Sequence, residues 1–265
     1  MRENRRTLPA RSRAIKVRPL LLLMAVLMAG TAFGQGTGTI KGHVRLMGNL
    51  PGNPIIRMGV DPMCSKINAG KRVIQEYVVA TIDGSLANVF VRMLGNFPAV
   101  PPSNQPVTID QQGCIYTPRV IGARVGQTIQ IKNSDAFLHN VEGLSGKNNT
   151  FNIAQPRAGL VYEFKPKNEE VMLHLKCDIH NWMNAYIGIV TNPYFAVSNT
   201  MGNFEIDKVP PGNYTIQAWH ERYGPIMKTV TVKAGAVSTV DFSYTGNEKP
   251  AMSAMKELVV PAHAN

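Results

Sequence analysis

Residues 171–183 read VMLHLKCDIHNWM, an alternating apolar stretch that runs into a loop with a thiol, an imidazole and a thioether. The alternation in residues 171–176 predicts a β-strand with one buried face. Because alternate residues of a strand share a face, Cys177 is expected to reach into the core from the end of the sheet. The same alternation places His174 on the opposite face, where we expect it at the surface.

A turn after Cys177 can bring His180 and Met183 back toward its sulfur atom. A second imidazole, His139, follows an apolar stretch earlier in the chain. Two imidazoles, one thiolate and a weak axial thioether are the ligands of a blue-copper centre. The thiolate stabilises copper and the axial sulfur tunes its potential without a change of geometry, so this set suits fast one-electron transfer.

At these residues the chain resembles the cupredoxin family, and plastocyanin-like proteins in particular. The residues that match its first-histidine motif are Asn133, Asp135, His139 and Asn140, and those that match its Cys-x-x-His element and axial methionine are Cys177, His180 and Met183. The resemblance covers residues 73–191. It implies a Greek-key β-sandwich that carries electrons between redox proteins, such as cytochromes or oxidases, without acting as an enzyme.

The spacing of His180 and Met183 is shorter than in plastocyanin-like loops, where the gap is usually longer. It resembles the copper-binding loop of cytochrome oxidase subunit II. That loop holds a dinuclear centre with two cysteines, whereas this loop has one. The comparison therefore implies one mononuclear copper that cycles between Cu(I) and Cu(II), with the axial role of Met183 the least constrained.

Short Val-, Ile-, Tyr- and Phe-rich stretches, such as residues 77–82, alternate with Gly and Pro turns through the rest of the chain, which predicts an all-β fold. Residues 192–245 resemble a carboxypeptidase regulatory-like, transthyretin-type module and predict a second, smaller β-sandwich. Residues 36–72 are expected to form an N-terminal β segment, in which residues 39–46 complete the sheet of the second module. Residues 246–265 are expected to be a flexible tail.

Residues 1–34 have the pattern of a secretory signal peptide, with basic residues before an apolar run and the small residues Ala32 and Gly34 at the expected cleavage site. The run is shorter than the roughly 20 residues of a membrane-spanning helix. Cleavage would remove seven basic residues and one acidic residue, lowering the formal charge from +11 to +5. We therefore expect a periplasmic or secreted protein with no membrane span after cleavage, and not a nucleic-acid-binding one.

The chain has three cysteines. In an exported protein Cys64 and Cys114 are expected to form a disulfide, which leaves Cys177 for metal. The alternative is two unpaired buried thiols.

The roles expected for three other residues, Asn140, Trp182 and His220, rest on weaker sequence patterns. Asn140 is a candidate to tie the His139 segment to the Cys177 loop, and Trp182 is a candidate for an apolar rim through which electrons pass. We expect redox partners to dock at an exposed edge formed by His180 and Trp182. His220 could reach the copper edge if the two modules pack closely, although a hydrogen-bonded histidine at a strand end is more common.

Three alternatives remain open from the sequence. Zinc also binds Cys and His, but seldom Met. A copper carrier or chaperone would hold the same ion and release it. A binding protein could use the regulatory-like module alone, with no metal at all.

Overall fold

A computed structural model describes residues 36–248, so the predicted signal peptide and most of the predicted tail lie outside the described residues. The described part is nearly all β, which confirms the predicted fold class. One short α-helix, α1, spans Pro62–Ile67, and a single turn of 3-10 helix at Met58–Val60 precedes it. The strands are β1 (Gly38–Leu46), β2 (Phe90–Leu94), β3 (Val107–Gln111), β4 (Tyr116–Thr117), β5 (Val120–Arg124), β6 (Ile129–Asn133), β7 (His139–Leu144), β8 (Phe151–Gln155), β9 (Val161–Phe164), β10 (Glu170–Lys176), β11 (Asn184–Val190), β12 (Phe195–Val197), β13 (Asn203–Val209), β14 (Gly212–His220), β15 (Gly224–Val232), β16 (Val237–Thr239) and β17 (Phe242–Tyr244).

The first sandwich packs a sheet in the order β5-β11-β10-β7-β8 against a sheet in the order β4-β3-β6-β9. Alternate residues of both sheets are fully buried between them, including Ile131 on β6 and Leu173 on β10. Cys177 belongs to the same core, which confirms its predicted inward face. The site described below lies at the end of this core.

The second sandwich packs β13-β1-β16, with β17 also paired to β1, against β12-β2-β14-β15. Its core joins residues of both sheets, such as Ile40, Val91 and Ile216. The predicted role of residues 39–46 is confirmed, because β1 pairs antiparallel with β13.

Two of the predicted segments differ from the observed structure. β2 was expected within the copper domain at residues 73–191, but it pairs with β12 and β14 of the second sandwich. The predicted β segment at residues 36–72 contains only one strand, and its later part forms α1. Helix formation there follows from Asp61, whose side chain accepts hydrogen bonds from the first backbone N–H groups of α1.

A strand was also predicted over residues 77–82, but the structure has only an isolated bridge between Ala80 and Leu86 there. The chain turns sharply instead, because Asp83 accepts hydrogen bonds from the Thr81 hydroxyl and from the backbone and hydroxyl of Ser85.

The two sandwiches share a buried contact between the β10–β11 face of the first and the β2–β12–β14 face of the second. Phe90 and Phe195 fill this contact above the glycines of the opposite sheet. A Cβ atom on Gly188 would lie 2.4 Å from the Phe90 ring, and one on Gly122 would lie 2.3 Å from the Phe195 ring. These glycines therefore set how closely the sheets can approach.

We expect Gly188→Ala to lower the free energy of unfolding by about 1–3 kcal/mol, the usual cost of overpacking a filled core. Urea denaturation would measure this loss. Gly52→Ala is the matched control, since a Cβ atom there would have no neighbour within 4 Å. Equal stability of the two variants would contradict the close packing of Phe90 on this sheet.

Within residues 36–248, no helix has both the length and the apolar character needed to cross a membrane.

Candidate metal centre

Three buried ligand atoms converge at one end of the first sandwich. His139 begins β7, Cys177 directly follows β10, and His180 lies in the loop before β11. The Nδ1 atoms of the two histidines are 3.0 Å apart, and Sγ of Cys177 is 3.7 Å from Nδ1 of His180. The three ligand atoms all lie within 4.8 Å of one another. The structure thus brings together the three residues that the sequence predicts as equatorial ligands.

Hydrogen bonds across the loop hold Met183 beside this group. The backbone N–H of Cys177 donates to the carbonyl of Met183 at 3.2 Å, and the N–H of Met183 donates to the carbonyl of His180 at 2.8 Å. The Met183 side chain is 1% exposed and belongs to the same core cluster as Cys177. The short spacing of His180 and Met183 therefore forms a tight turn that keeps the thioether inside the protein.

Each histidine has a carboxylate at its other ring nitrogen. Nε2 of His139 is 2.8 Å from Asp135, and Nε2 of His180 is 3.0 Å from Asp61. The pKa of Asp61 is lowered by the backbone N–H of Cys64 and by His180, so this carboxylate is an acceptor. An ionised carboxylate has no hydrogen to donate, so the ring hydrogens lie on the Nε2 atoms. Both Nδ1 atoms then lie on the inner side of the site, next to each other and to the thiol.

Hydrogen bonds within the site also shift the pKa values of Cys177 and His139. Burial raises the pKa of Cys177, but hydrogen bonds with His139 and His180 outweigh it and lower this pKa to about 6. Burial lowers the pKa of His139, but hydrogen bonds with Asp135 and Cys177 raise it to about 9. The thiolate therefore pairs with a protonated His139 ring in the metal-free site, and a metal ion that binds both residues would take the place of that proton.

The donor set fits copper. A thiolate with two imidazoles and a nearby thioether is the combination used for one-electron copper chemistry, whereas structural zinc sites use four Cys or His ligands. Each group of three or more His, Cys, Asp or Glu ligands found in residues 36–248 includes His139 or His180.

Asn140 links the two segments that carry the ligands. Its Oδ1 accepts a hydrogen bond from the backbone N–H of Asp178 at 2.6 Å, and its Nδ2 donates to the Asp178 carboxylate at 3.1 Å. The predicted tie between the His139 strand and the Cys177 loop is therefore present.

Cys64 and Cys114 form a disulfide with a Cα–Cα distance of 5.8 Å, as predicted, and Cys177 is the free cysteine of the described residues. The disulfide lies against the site, because Sγ of Cys64 is 3.4 Å from Nε2 of His180. Trp182 also reaches this region, since its Nε1 donates to the carbonyl of Cys114 at 2.9 Å.

The expected exposed docking edge is wrong for His180, which is only 1% exposed. The start of α1 covers its ring, with Asp61 hydrogen-bonded to Nε2 and Cys64 in contact. Trp182 remains partly exposed beside it, with ring centroids 5.1 Å apart. His180 is buried because the segment before residue 73 covers its ring. The sequence pattern did not predict that this segment lies over the loop.

The two carboxylates were not predicted as functional residues. Asp135 was identified only as part of the first-histidine motif, and Asp61 was not singled out. The Asp61-Pro62 pair is a recognisable helix start, since Asp is a favoured N-cap and Pro a favoured first helical residue. That signal could have located the helix but not its contact with His180.

The remaining histidines lie outside the cluster. His174 is buried rather than at the surface, because its face of the sheet packs on the second sandwich; it hydrogen-bonds Asn184 at 2.8 Å and stacks on Tyr186. His220 is also buried, and burial together with Arg119 lowers its pKa to about 3. It stacks on a tyrosine of the second sandwich and does not join the ligand group.

Residues 184–245 match the family model of the carboxypeptidase regulatory-like domain. This match confirms the resemblance predicted for residues 192–245, and it begins with β11 of the first sandwich. No curated protein matches the chain.

Several solved structures resemble part of the chain. A purple cupredoxin from Nitrosopumilus maritimus is 19% identical over 31% of this chain and 98% of its own, with a TM-score of 0.27. A copper-containing nitrite reductase from Thermus scotoductus is 21% identical over 37% of this chain and 25% of its own, with a TM-score of 0.28. A Cu(I) structure of a methionine-to-alanine variant of amicyanin is 16% identical over 37% of this chain and 97% of its own, with a TM-score of 0.29.

Proposed function

We propose that this protein binds one copper ion through His139, Cys177 and His180, with Met183 as the axial ligand, and that it transfers single electrons. The observation that carries this proposal is the convergence of two Nδ1 atoms on the Cys177 thiol, with Nδ1 to Nδ1 at 3.0 Å and Sγ to Nδ1 at 3.7 Å. Copper held there would supply one-electron cycling between Cu(I) and Cu(II).

Burial of the ligands supports electron transfer over catalysis. His139, Cys177 and His180 are each no more than 1% exposed, so a substrate has no direct approach to the donor atoms. The hydrogen bonds within the loop and from Asn140 hold these side chains in place before metal binds. A site prepared in this way needs little reorganisation on gaining or losing an electron.

Trp182 is the side chain through which electrons would enter or leave. Its ring lies next to the covered His180 ring and it is partly exposed. Redox proteins such as cytochromes or oxidases are the proposed partners, in contacts of the small, transient kind. The signal-like sequence of residues 1–34 supports a periplasmic or secreted location.

The absorption and paramagnetic-resonance spectra of copper-loaded protein test this function. We expect one copper per chain, intense visible absorption from a Cu(II)–thiolate bond, and reversible reduction. A colourless Cu(I) site that gives its ion readily to a chelator would indicate a copper carrier instead. Failure to bind copper after reconstitution would leave the regulatory-like domain as the functional part.

We expect Met183→Leu to keep the visible absorption but make the reduction potential more positive. Loss of a sulfur donor weakens Cu(II) more than Cu(I), and a change of about tenfold in this preference corresponds to about 59 mV. Cyclic voltammetry would measure the shift. Met93→Leu makes the same exchange in the core of the second sandwich and should leave the potential unchanged. An unaltered spectrum and potential in Met183→Leu would show that Met183 is not the axial ligand.

A further inference from the structure

We propose that Asp61 and Asp135 are positioning residues that orient both imidazoles toward the metal and lower its reduction potential. This inference rests on the proposed copper site. It gives a role to the two carboxylates and to the Cys64–Cys114 disulfide, because the backbone N–H groups of these cysteines donate to the carboxylates. The four proposed ligands alone do not explain why these groups lie there.

Asp135 is fixed before it meets His139. The backbone N–H of Gly113 donates to its Oδ1 at 2.8 Å, and the N–H of Cys114 donates to its Oδ2 at 2.9 Å. The same Oδ2 accepts from Nε2 of His139 at 2.8 Å, and both side chains are buried. The carboxylate therefore holds the ring with Nδ1 toward Cys177.

Asp61 is fixed in a corresponding way from a distant part of the chain. Its Oδ1 accepts from the backbone N–H groups of Met63 and Cys64 at 2.8 and 3.0 Å, which makes it the N-cap of α1. Its Oδ2 faces Nε2 of His180 at 3.0 Å. One carboxylate oxygen of Asp61 thus caps the helix, and the other accepts a hydrogen bond from the His180 ring.

The disulfide connects these two supports. Cys64 donates its backbone N–H to Asp61 and Cys114 donates its backbone N–H to Asp135, and the two sulfur atoms are bonded to each other. A single covalent link therefore fixes the spacing of both carboxylates, one at each imidazole. The same link keeps α1 over His180, which is why that ring is buried.

The carboxylates affect the metal through the rings. A carboxylate that accepts the Nε2 hydrogen makes the imidazole a stronger donor, as outer contacts of metal-binding histidines generally do. Stronger donation favours Cu(II) over Cu(I), because the ion of higher charge gains more. Both contacts therefore lower the reduction potential.

Asp61→Asn separates the two roles of this side chain. The remaining oxygen of asparagine can still cap α1, since Asn is as good an N-cap as Asp, but the group that faces His180 becomes an NH₂ donor. We expect the preference for Cu(II) over Cu(I) to fall about tenfold, the lower end of the usual effect of such contacts, which moves the potential about 59 mV in the positive direction. Asp135→Asn is expected to shift the potential in the same direction.

Asp241→Asn is the matched control, because Asp241 accepts a backbone hydrogen bond from His43 in the second sandwich, outside the ligand group. Its potential should equal that of the unmodified protein. If Asp61→Asn and Asp241→Asn have the same potential while both keep the Cu(II)–thiolate absorption, the positioning role is wrong. If the unmodified protein lacks that absorption, it is the proposed copper site that fails.

Proton NMR of the Cu(I)-loaded, unmodified protein gives a second test that depends on no variant. We expect Nε2–H signals from both His139 and His180, shifted downfield and protected from exchange with water. In Asp61→Asn the His180 signal should exchange at least about tenfold faster, while that of His139 stays protected. Rapid exchange of both signals in the unmodified protein would overturn the proposal.

Discussion

Replacing Cys177 by serine is expected to abolish the visible absorption of the copper-loaded protein. The absorption arises from the bond between Cu(II) and a thiolate, and a hydroxyl group does not supply it. Cys177 is the free cysteine of the described chain, and it is buried between His139 and His180. We expect Cu(II) affinity to fall by more than the about 10- to 100-fold that loss of an outer contact costs, because a direct ligand is removed.

Serine is suited to this test because it is close to cysteine in size and can still hydrogen-bond to the histidines. Urea denaturation of the metal-free forms should show that Cys177→Ser stays folded, because the serine hydroxyl can keep hydrogen bonds to the buried histidines. Copper titration followed by absorption then measures the loss of the site itself. A folded variant that kept the intense absorption would rule out Cys177 as the thiolate ligand.

The convergence of His139, Cys177 and His180 could be predicted from sequence because it depends largely on local pattern. Strand alternation places Cys177 on the inner face, and a short loop returns His180 toward it. His139 could be predicted because its surrounding residues form a recognisable motif. The disulfide could be predicted from the expected export of the protein and from its count of three cysteines.

The contacts that surround these three residues could not be predicted in the same way. Asp61 meets His180 across 119 residues of chain, and nothing in the local sequence of either residue indicates that contact. The alternation of β10 shows which residues share a face, but not that both faces are covered. His174 was therefore placed at the surface, although the second sandwich buries it. The same limit applies to β2, whose apolar pattern would suit a strand in either sandwich.

A buried ion pair joins the two sandwiches. Arg119, just before β5, forms two parallel hydrogen bonds with Glu221 in the turn after β14, each 2.9 Å long. The two side chains are only 8% and 7% exposed. Because removing one partner leaves the other charge buried and unpaired, we expect Arg119→Met to lower the free energy of unfolding by about 3–5 kcal/mol. Urea denaturation would measure it.

Two further variants separate the effect of the buried ion pair from the effect of packing. Arg119→Met combined with Glu221→Met should recover most of the loss, since an apolar pair leaves no unpaired charge. Lys41→Met removes a partner from the exposed ion pair with Glu205 and should cost no more than about 1 kcal/mol. A double variant as unstable as Arg119→Met would show that the loss comes from packing rather than from an unpaired charge.

The same variants test whether the sandwiches unfold together. The chain has two tryptophans, Trp182 beside the metal centre and Trp219 on β14 of the second sandwich. Trp219 packs against Tyr186 of the first sandwich with ring centroids 5.5 Å apart, so the shared contact contains one of the two probes. In single-tryptophan proteins, Trp182→Phe and Trp219→Phe, we expect both fluorescence transitions to fall at the same urea concentration and to shift equally on Arg119→Met. Separate transitions would mean that the ion pair stabilises only one sandwich, and that the metal centre does not depend on the regulatory-like domain for its stability.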